Sequence, residues 1–308
     1  MRGITLRKTL TFTAVVQAAS LNYGEGFNNL SELKKFHRAD GETYTFASRQ
    51  SVRYDLVRLG NELFDWNINV VEQQGGSVVQ FKRDATIQDS QEMDLFGYLK
   101  TGNPSLKRSA VARLSHAVSL EPYQSDMEFL NNMGMAQRKS VEDQAKMTNS
   151  LVQIENHQSF YAYTMSVDLN SVGIDGDVKL SNEVRKTRVH QLLEILKILN
   201  RDIRGRRENL SPLFVVGGVY PVSNPFFMGR VQLQTTSKGM QIDSTPLSSI
   251  ADMTFMDTPI GAATRVGQVD GVFADNNERV LTLFENRTGT VEKFFQHLKD
   301  EVSAYYAE

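Results

Sequence analysis

The chain has 308 residues, 40% hydrophobic and 23% charged, which is enough to bury a sizeable core and ordinary for a soluble globular protein. It contains no cysteine, which excludes a disulfide framework and thiolate chemistry. No apolar run reaches about 18 residues, so no membrane span is expected. The net charge of −2 is unevenly spread: residues 1–60 hold 9 Lys/Arg against 5 Asp/Glu (+4), 61–160 hold 9 against 13 (−4), 161–240 hold 11 against 7 (+4) and 241–308 hold 5 against 11 (−6). If the two basic blocks meet in the fold, they make a basic groove on a near-neutral protein.

Arg2, Arg7 and Lys8 flank a Thr-rich alternating stretch rather than an apolar plug, so no signal peptide is expected. From Ile4 to Gln17, Ile4, Leu6, Leu10, Phe12, Ala14 and Val16 alternate with Thr5, Arg7, Thr9, Thr11, Thr13 and Gln17, which predicts a half-buried strand. A long, basic connection follows over 18–47, carrying Lys34, Lys35, His37 and Arg38. Connections of that length are uncommon in compact domains and are often functional; this one reads as a solvated loop or as a surface that tracks a nucleic-acid backbone.

Ser48 then has the chemistry of an N-cap for a helix whose buried face is Val52, Leu56, Leu59 and Leu63. Gly60 is a possible stop. Arg49 and Arg53 lie four residues apart on another face, with Gln50 beside them. A helix N-terminus favours anions and guanidinium groups suit phosphate, so this stretch is either a phosphate site or a solvated basic face.

Val70 to Arg83, with Gln74-Gly75-Gly76 between apolar runs, predicts a hairpin. Residues 84–158 are polar and Met-rich and read as a helical insertion. Phe160–Leu169 predicts a second strand and Asn170–Gly176 a turn. Ser181 or Asn182 would cap a helix with Val189, Leu192, Leu193, Leu196, Leu199 and Ile203 on its apolar face, ending near Gly205. Arg201, Arg204, Arg206 and Arg207 gather there, where cations complement a helix C-terminus or bind an anion. Leu213–Tyr220 predicts a further strand. In 221–240, Phe226, Phe227 and Met228, followed by Arg230, are either core or an apolar wedge on a projecting loop. Thr290–Tyr306 predicts a closing amphipathic helix.

The pattern Asp40-Gly41-x-x-Tyr44, then Ser48-Arg49-Gln50-x-x-Arg53-Tyr54, resembles the DevR-type backbone subunit of type I-B CRISPR surveillance complexes, within the RAMP superfamily. Ser20-Leu21-Asn22-Tyr23-Gly24-Glu25 and Leu33-Lys34-Lys35 resemble the same family, so the likeness is close over about the first sixty residues. It implies an α/β (α+β) fold: a ferredoxin-like, RRM-like palm over 1–83 and 159–308, a finger-like helical insertion over 84–158, and a thumb-like hairpin near 221–240. It also implies a prokaryotic cytoplasmic protein that polymerises along a CRISPR RNA (crRNA). Its partners would be further copies of itself, other Cascade subunits and target DNA paired to the guide.

On that resemblance the guide-binding residues are Asn22, Lys34, Lys35, His37, Arg38, Ser48, Arg49, Gln50, Arg53, Arg204, Arg206 and Arg207. Phe226, Phe227, Met228 and Arg230 form the thumb. The five histidines show no metal-ligand spacing, and no P-loop, Rossmann or RNP1 signature is present, so no cofactor or metal is expected. Asp40 and His37 are the candidates for RNA cleavage, but the type I backbone subunits that the chain resembles are non-catalytic. The alternatives are a guide-processing endoribonuclease of the same superfamily and a filament protein without nucleic acid.

Overall fold

Strand β1 (Thr9–Ala19) is the centre of a nine-stranded sheet. In this computed structural model, which describes residues 8–24, 26, 29–74, 78–131, 151–285 and 287–307, the other strands are β2 (Lys35–His37), β3 (Thr43–Ala47), β4 (Ala112–Leu114), β5 (Ala117–Ser119), β6 (Gln158–Asp168), β7 (Phe214–Tyr220), β8 (Thr264–Gln268) and β9 (Thr288–Thr290). Their order is β9-β8-β7-β1-β6-β5-β3-β2, with β4 also on β6. Phe12 stands opposite Met165 of β6 and Gly217 of β7. The helices are α1 (Arg49–Phe64), α2 (Gln91–Phe96), α3 (Asn182–Lys197), α4 (Thr245–Ala251), α5 (Ile260–Ala263), α6 (Glu278–Leu283) and α7 (Val291–Ala307). The succession β1-α1-β4/β5-β6-α3-β7, with β7 and β6 flanking β1, is the ferredoxin-like arrangement. Residues Ile4 to Arg7 of the expected first strand, the Gly75-Gly76 turn and the stretch 132–150 lie outside the described residues.

The β1 strand is buried on both faces rather than one. Leu10, Phe12, Ala14 and Val16 meet α1, α3 and α7, where Phe12 lies edge-on to Phe294 and Phe295 at 6.0 and 5.6 Å. The opposite face carries Thr9, Thr11 and Thr13, all fully or nearly buried. Hydroxyl pairing makes this tolerable at two of them: Thr11 Oγ1 donates to Ser166 Oγ at 3.0 Å, and Thr13 meets Thr164 at 2.7 Å, while Thr9 Oγ1 has no partner among the described residues. A second layer, drawn from residues 221–284, covers the β1-β7-β8 part of that face with Phe226, Phe227, Ile250, Phe273 and Phe284.

A hairpin, Leu233–Thr236 paired with Gly239–Ile242, is present near 221–240, but the expected wedge role of Phe226 and Phe227 is corrected. Phe226 is 4% exposed and lies edge-on to Tyr220 at 5.0 Å, while Phe227 is fully buried against Phe284 at 6.4 Å. Neither is free to part bases. Arg230 Nη1 is turned back to donate to Phe226 O at 2.9 Å. Met228 alone of the three is exposed.

The helical reading of 84–158 is also corrected: α2 is its only helix among the described residues. The rest are strands, including β4 and β5 of the main sheet, a Tyr98–Lys100/Leu106–Arg108 hairpin, and the pair Asp126–Asn131/Leu151–Asn156. Leu95, Phe96, Ala112 and Leu114 join the main core. Buried Asp94 ties the segment down by accepting from Arg108 and Arg188, each at 2.7 Å, and from the Gly173 N–H at 2.9 Å.

Helix ends shift too. Gly60 does not stop α1: it is buried where a Cβ would come within 2.3 Å of the Trp66 ring. The helix ends instead at Asp65, which adopts φ 54°, and this leaves Leu63 exposed. Helix α3 ends at Lys197, so Arg201, Arg204, Arg206 and Arg207 lie on or beside the Asn200–Ile203/Arg206–Asn209 hairpin, with Gly205 at φ 75° in its turn. The expected Val70–Arg83 hairpin is present as Val71–Gln74 paired with Val78–Phe81.

Candidate nucleic-acid interface

The start of α1 is built by three side chains from distant parts of the chain. Ser48 caps it, its Oγ accepting from the Ser51 N–H at 3.2 Å. Asn22 Oδ1 accepts from the Ser48 N–H at 3.0 Å. His116 Nδ1 accepts from the Arg49 N–H at 2.9 Å, which places the imidazole proton on Nε2. Burial lowers the His116 pKa first, and the Arg49 and Lys34 charges lower it further, so the ring is held neutral. Its ring also lies against Phe46 at 5.1 Å. Asn22, expected to bind RNA, is thus a positioning residue for the helix start. His116 carried no sequence signal, because its partners are 67 residues or more away.

The cations expected in the site divide into two groups. Lys35 is paired with Glu155 at 2.6 Å, Arg53 with Glu92 at 2.5 Å while lying over Phe96, and Arg207 with Asp202 at 2.7 Å. Arg206 is half-exposed and 3.4 Å from Glu208. Arg49 and Gln50 are exposed at the first turn, which carries no acidic residue. Lys34 lies near enough to act electrostatically on His116. Arg38 stacks on the Tyr44 ring at 3.8 Å, and Arg204 on Tyr23 at 4.2 Å with Nη2 donating to Ser31 Oγ. Among the described residues, Lys34, Arg38, Arg49 and Arg204 have no carboxylate in ion-pair contact. The structure neutralises Arg53, which shares the helix face that the spacing predicted.

Beside the helix start, the part of the sheet face that the 221–284 layer leaves open forms a cleft of about 690 Å³. Its floor is Thr13, Ala162, Thr164 and Val118. One wall is Arg38, Asp40, Tyr44 and His116, and the other is Met228, Gly229 and Gln232. The floor carries no aromatic ring on which a base could stack, in keeping with the missing RNP1 signature.

Asp40, in the wall, and His37, outside the cleft, are both engaged by neighbouring side chains. Asp40 accepts from the Glu42 N–H at 2.9 Å and from Tyr44 Oη at 2.9 Å, which holds its carboxyl below the usual range. His37 Nδ1 meets Thr43 Oγ1 at 3.0 Å. Among the described residues no group of three His, Asp or Glu side chains is placed to hold a metal ion.

A family model described as CRISPR-associated negative auto-regulator DevR/Csa2 matches residues 10–237. No curated protein matches. Among solved structures, a chain titled CRISPR RNA-guided surveillance complex is similar with a TM-score of 0.57 at 14% identity, covering 96% of this chain and 99% of that one. Another, titled CRISPR RNA-guided surveillance complex, pre-nicking, gives a TM-score of 0.55 at 10% identity with the same coverage. At such identities the likeness is one of fold.

Proposed function

The chain belongs to the CRISPR-associated DevR/Csa2 family, and we propose from that premise that it is the repeated backbone subunit of an RNA-guided surveillance complex of the Cascade kind, assigned by its motifs to type I-B. It binds the sugar-phosphate backbone of a crRNA and polymerises along it with other copies of itself, beside other Cascade subunits. The guide is thereby presented for pairing with target DNA. Backbone contact suits this task, because the guide sequence varies and its base edges must stay free.

The observation that carries the reading is the convergence of Lys34, Arg38 and Arg49, none in ion-pair contact with a carboxylate among the described residues, at the start of α1 beside the open sheet face. The subunit itself is non-catalytic on this account, since Asp40 and His37 are engaged with neighbours rather than with each other.

Replacing Lys34 and Arg49 with Ala should weaken RNA binding alike for all sequences. It should also reduce the slope of log affinity against log salt by roughly one per lost phosphate contact. Arg53→Ala should leave both unchanged, because that guanidinium is already paired. An unchanged salt slope in the folded double variant would contradict the site. In the same preparations, complementary RNA should survive with or without divalent metal. Cleavage that disappears in Asp40→Ala or His37→Ala would assign the chain to a nuclease branch instead.

A further inference from the structure

The sheet edge farthest from the α1 start is β9, and it carries a second basic cavity. The cavity measures about 180 Å³ and is lined by Arg265, Arg287, Lys293 and His297, with Gly289 and Phe294. Arg265 precedes Val266 in β8, which pairs in parallel with Thr288 of β9 directly after Arg287. Lys293 and His297 stand four residues apart on α7 and so share a face.

Among the described residues these cations have few partners. Among the described residues, Arg287 Nε is a buried donor with no acceptor, and the one carboxylate in ion-pair range is Glu285, exposed and 3.7 Å from Nη1. Arg265 Nη1 reaches only the backbone oxygens of Ala262 and Thr264, each at 3.2 Å. Lys293 is exposed, with no ion pair among the described residues. Glu292 is turned away to Lys197 at 2.9 Å. Glu301 and Asp300 are the other carboxylates whose charge is felt here, Glu301 by Arg265 and His297 and Asp300 by His297. Burial first, then the repulsion of the Arg287 charge, lowers the Arg265 pKa, and the Glu301 charge offsets this only in part.

We propose that this cavity binds a phosphate group, held between Arg265, Arg287 and Lys293. Planar guanidinium donors suit phosphate oxygens. The volume falls below the roughly 300–1,000 Å³ of a small-molecule pocket, so the site takes the phosphate and leaves any attached nucleoside outside. The phosphate comes either from a nucleic-acid strand passing the β9 edge or from free phosphate. The site is independent of the guide surface at the other edge.

The test uses the full chain carrying Lys34→Ala and Arg49→Ala, which weakens the guide surface, and every further variant is compared with this parent. Melting is followed in millimolar inorganic phosphate and in chloride of equal ionic strength. Phosphate should raise the melting temperature, with the rise reduced by Lys293→Gln and abolished by Arg287→Gln. Lys293 is exposed, so its variant reports even if the Arg287 variant folds poorly. Binding of an oligothymidylate is measured in parallel. A several-fold loss of affinity in Lys293→Gln identifies a strand as the source, and unchanged oligonucleotide affinity with the phosphate effect lost identifies free phosphate. No phosphate-specific rise in the parent, or an equal rise in both variants, overturns the proposal.

Discussion

Phe227 and Met228 are adjacent in sequence and opposite in surroundings. Phe227 is enclosed by the layer on the second sheet face, whereas Met228 overhangs the cleft. Phe227→Ala should cost about 3–5 kcal/mol of stability, as for a buried ring, while Met228→Ala should stay within about 0.5 kcal/mol. Denaturant unfolding of the two variants checks this, and a Phe227→Ala protein as stable as wild type would contradict the burial. The sequence left this run open between core and wedge, because bulky residues beside Pro225 and Gly229 read the same in either setting. Arg53 is a similar case. Its spacing from Arg49 was legible, but its pairing with Glu92, 39 residues on, was not. Local periodicity says which residues share a face and nothing about what arrives from a distant segment.

At the scale of elements, helices announced by caps were the most legible. Ser48 and Ser181 both accept from the first-turn N–H groups of α1 and α3 as their side chains predict. The ends were less so: Gly60 reads as a stop but is small because Trp66 packs on it. Two imidazoles tie elements together, one joining α1 to the sheet and the other joining β3 to the start of β6. His116 holds the Arg49 N–H, and His157 Nδ1 meets Thr45 Oγ1 at 2.8 Å. Both titrate below the ordinary 6.5, chiefly through burial. Below that value the unfolded chain binds more protons than the folded one. Stability is thus fully present above pH 6.5 and declines as pH falls through the window beneath it. Melting temperature should therefore drop between about pH 6.5 and 5, where most carboxylates are still ionised, and His116→Gln should flatten part of the slope. A melting temperature constant over that window would show that these rings are not held neutral.

For the whole molecule, the ferredoxin-like order was expected from the family resemblance, while the patterning of 4–17 and 160–169 made two of its central strands legible. The described part of 84–158 was misread because β4 and β5 are three residues each, too short for a period of two to stand out, and because their pairing with β6 and β3 is long-range. Nor could composition show that the chain after β7 folds back over half of one sheet face and leaves the other half open beside α1. That opening is what turns a set of basic residues into an interface. The most direct measurement is to purify the chain from cells that express it with a CRISPR array and to extract what it carries. Several copies of the subunit on RNA of one defined length, lost with Lys34→Ala and Arg49→Ala, is the predicted result. A nucleic-acid-free protein, or RNA of random length retained equally by the double variant, would contradict the account.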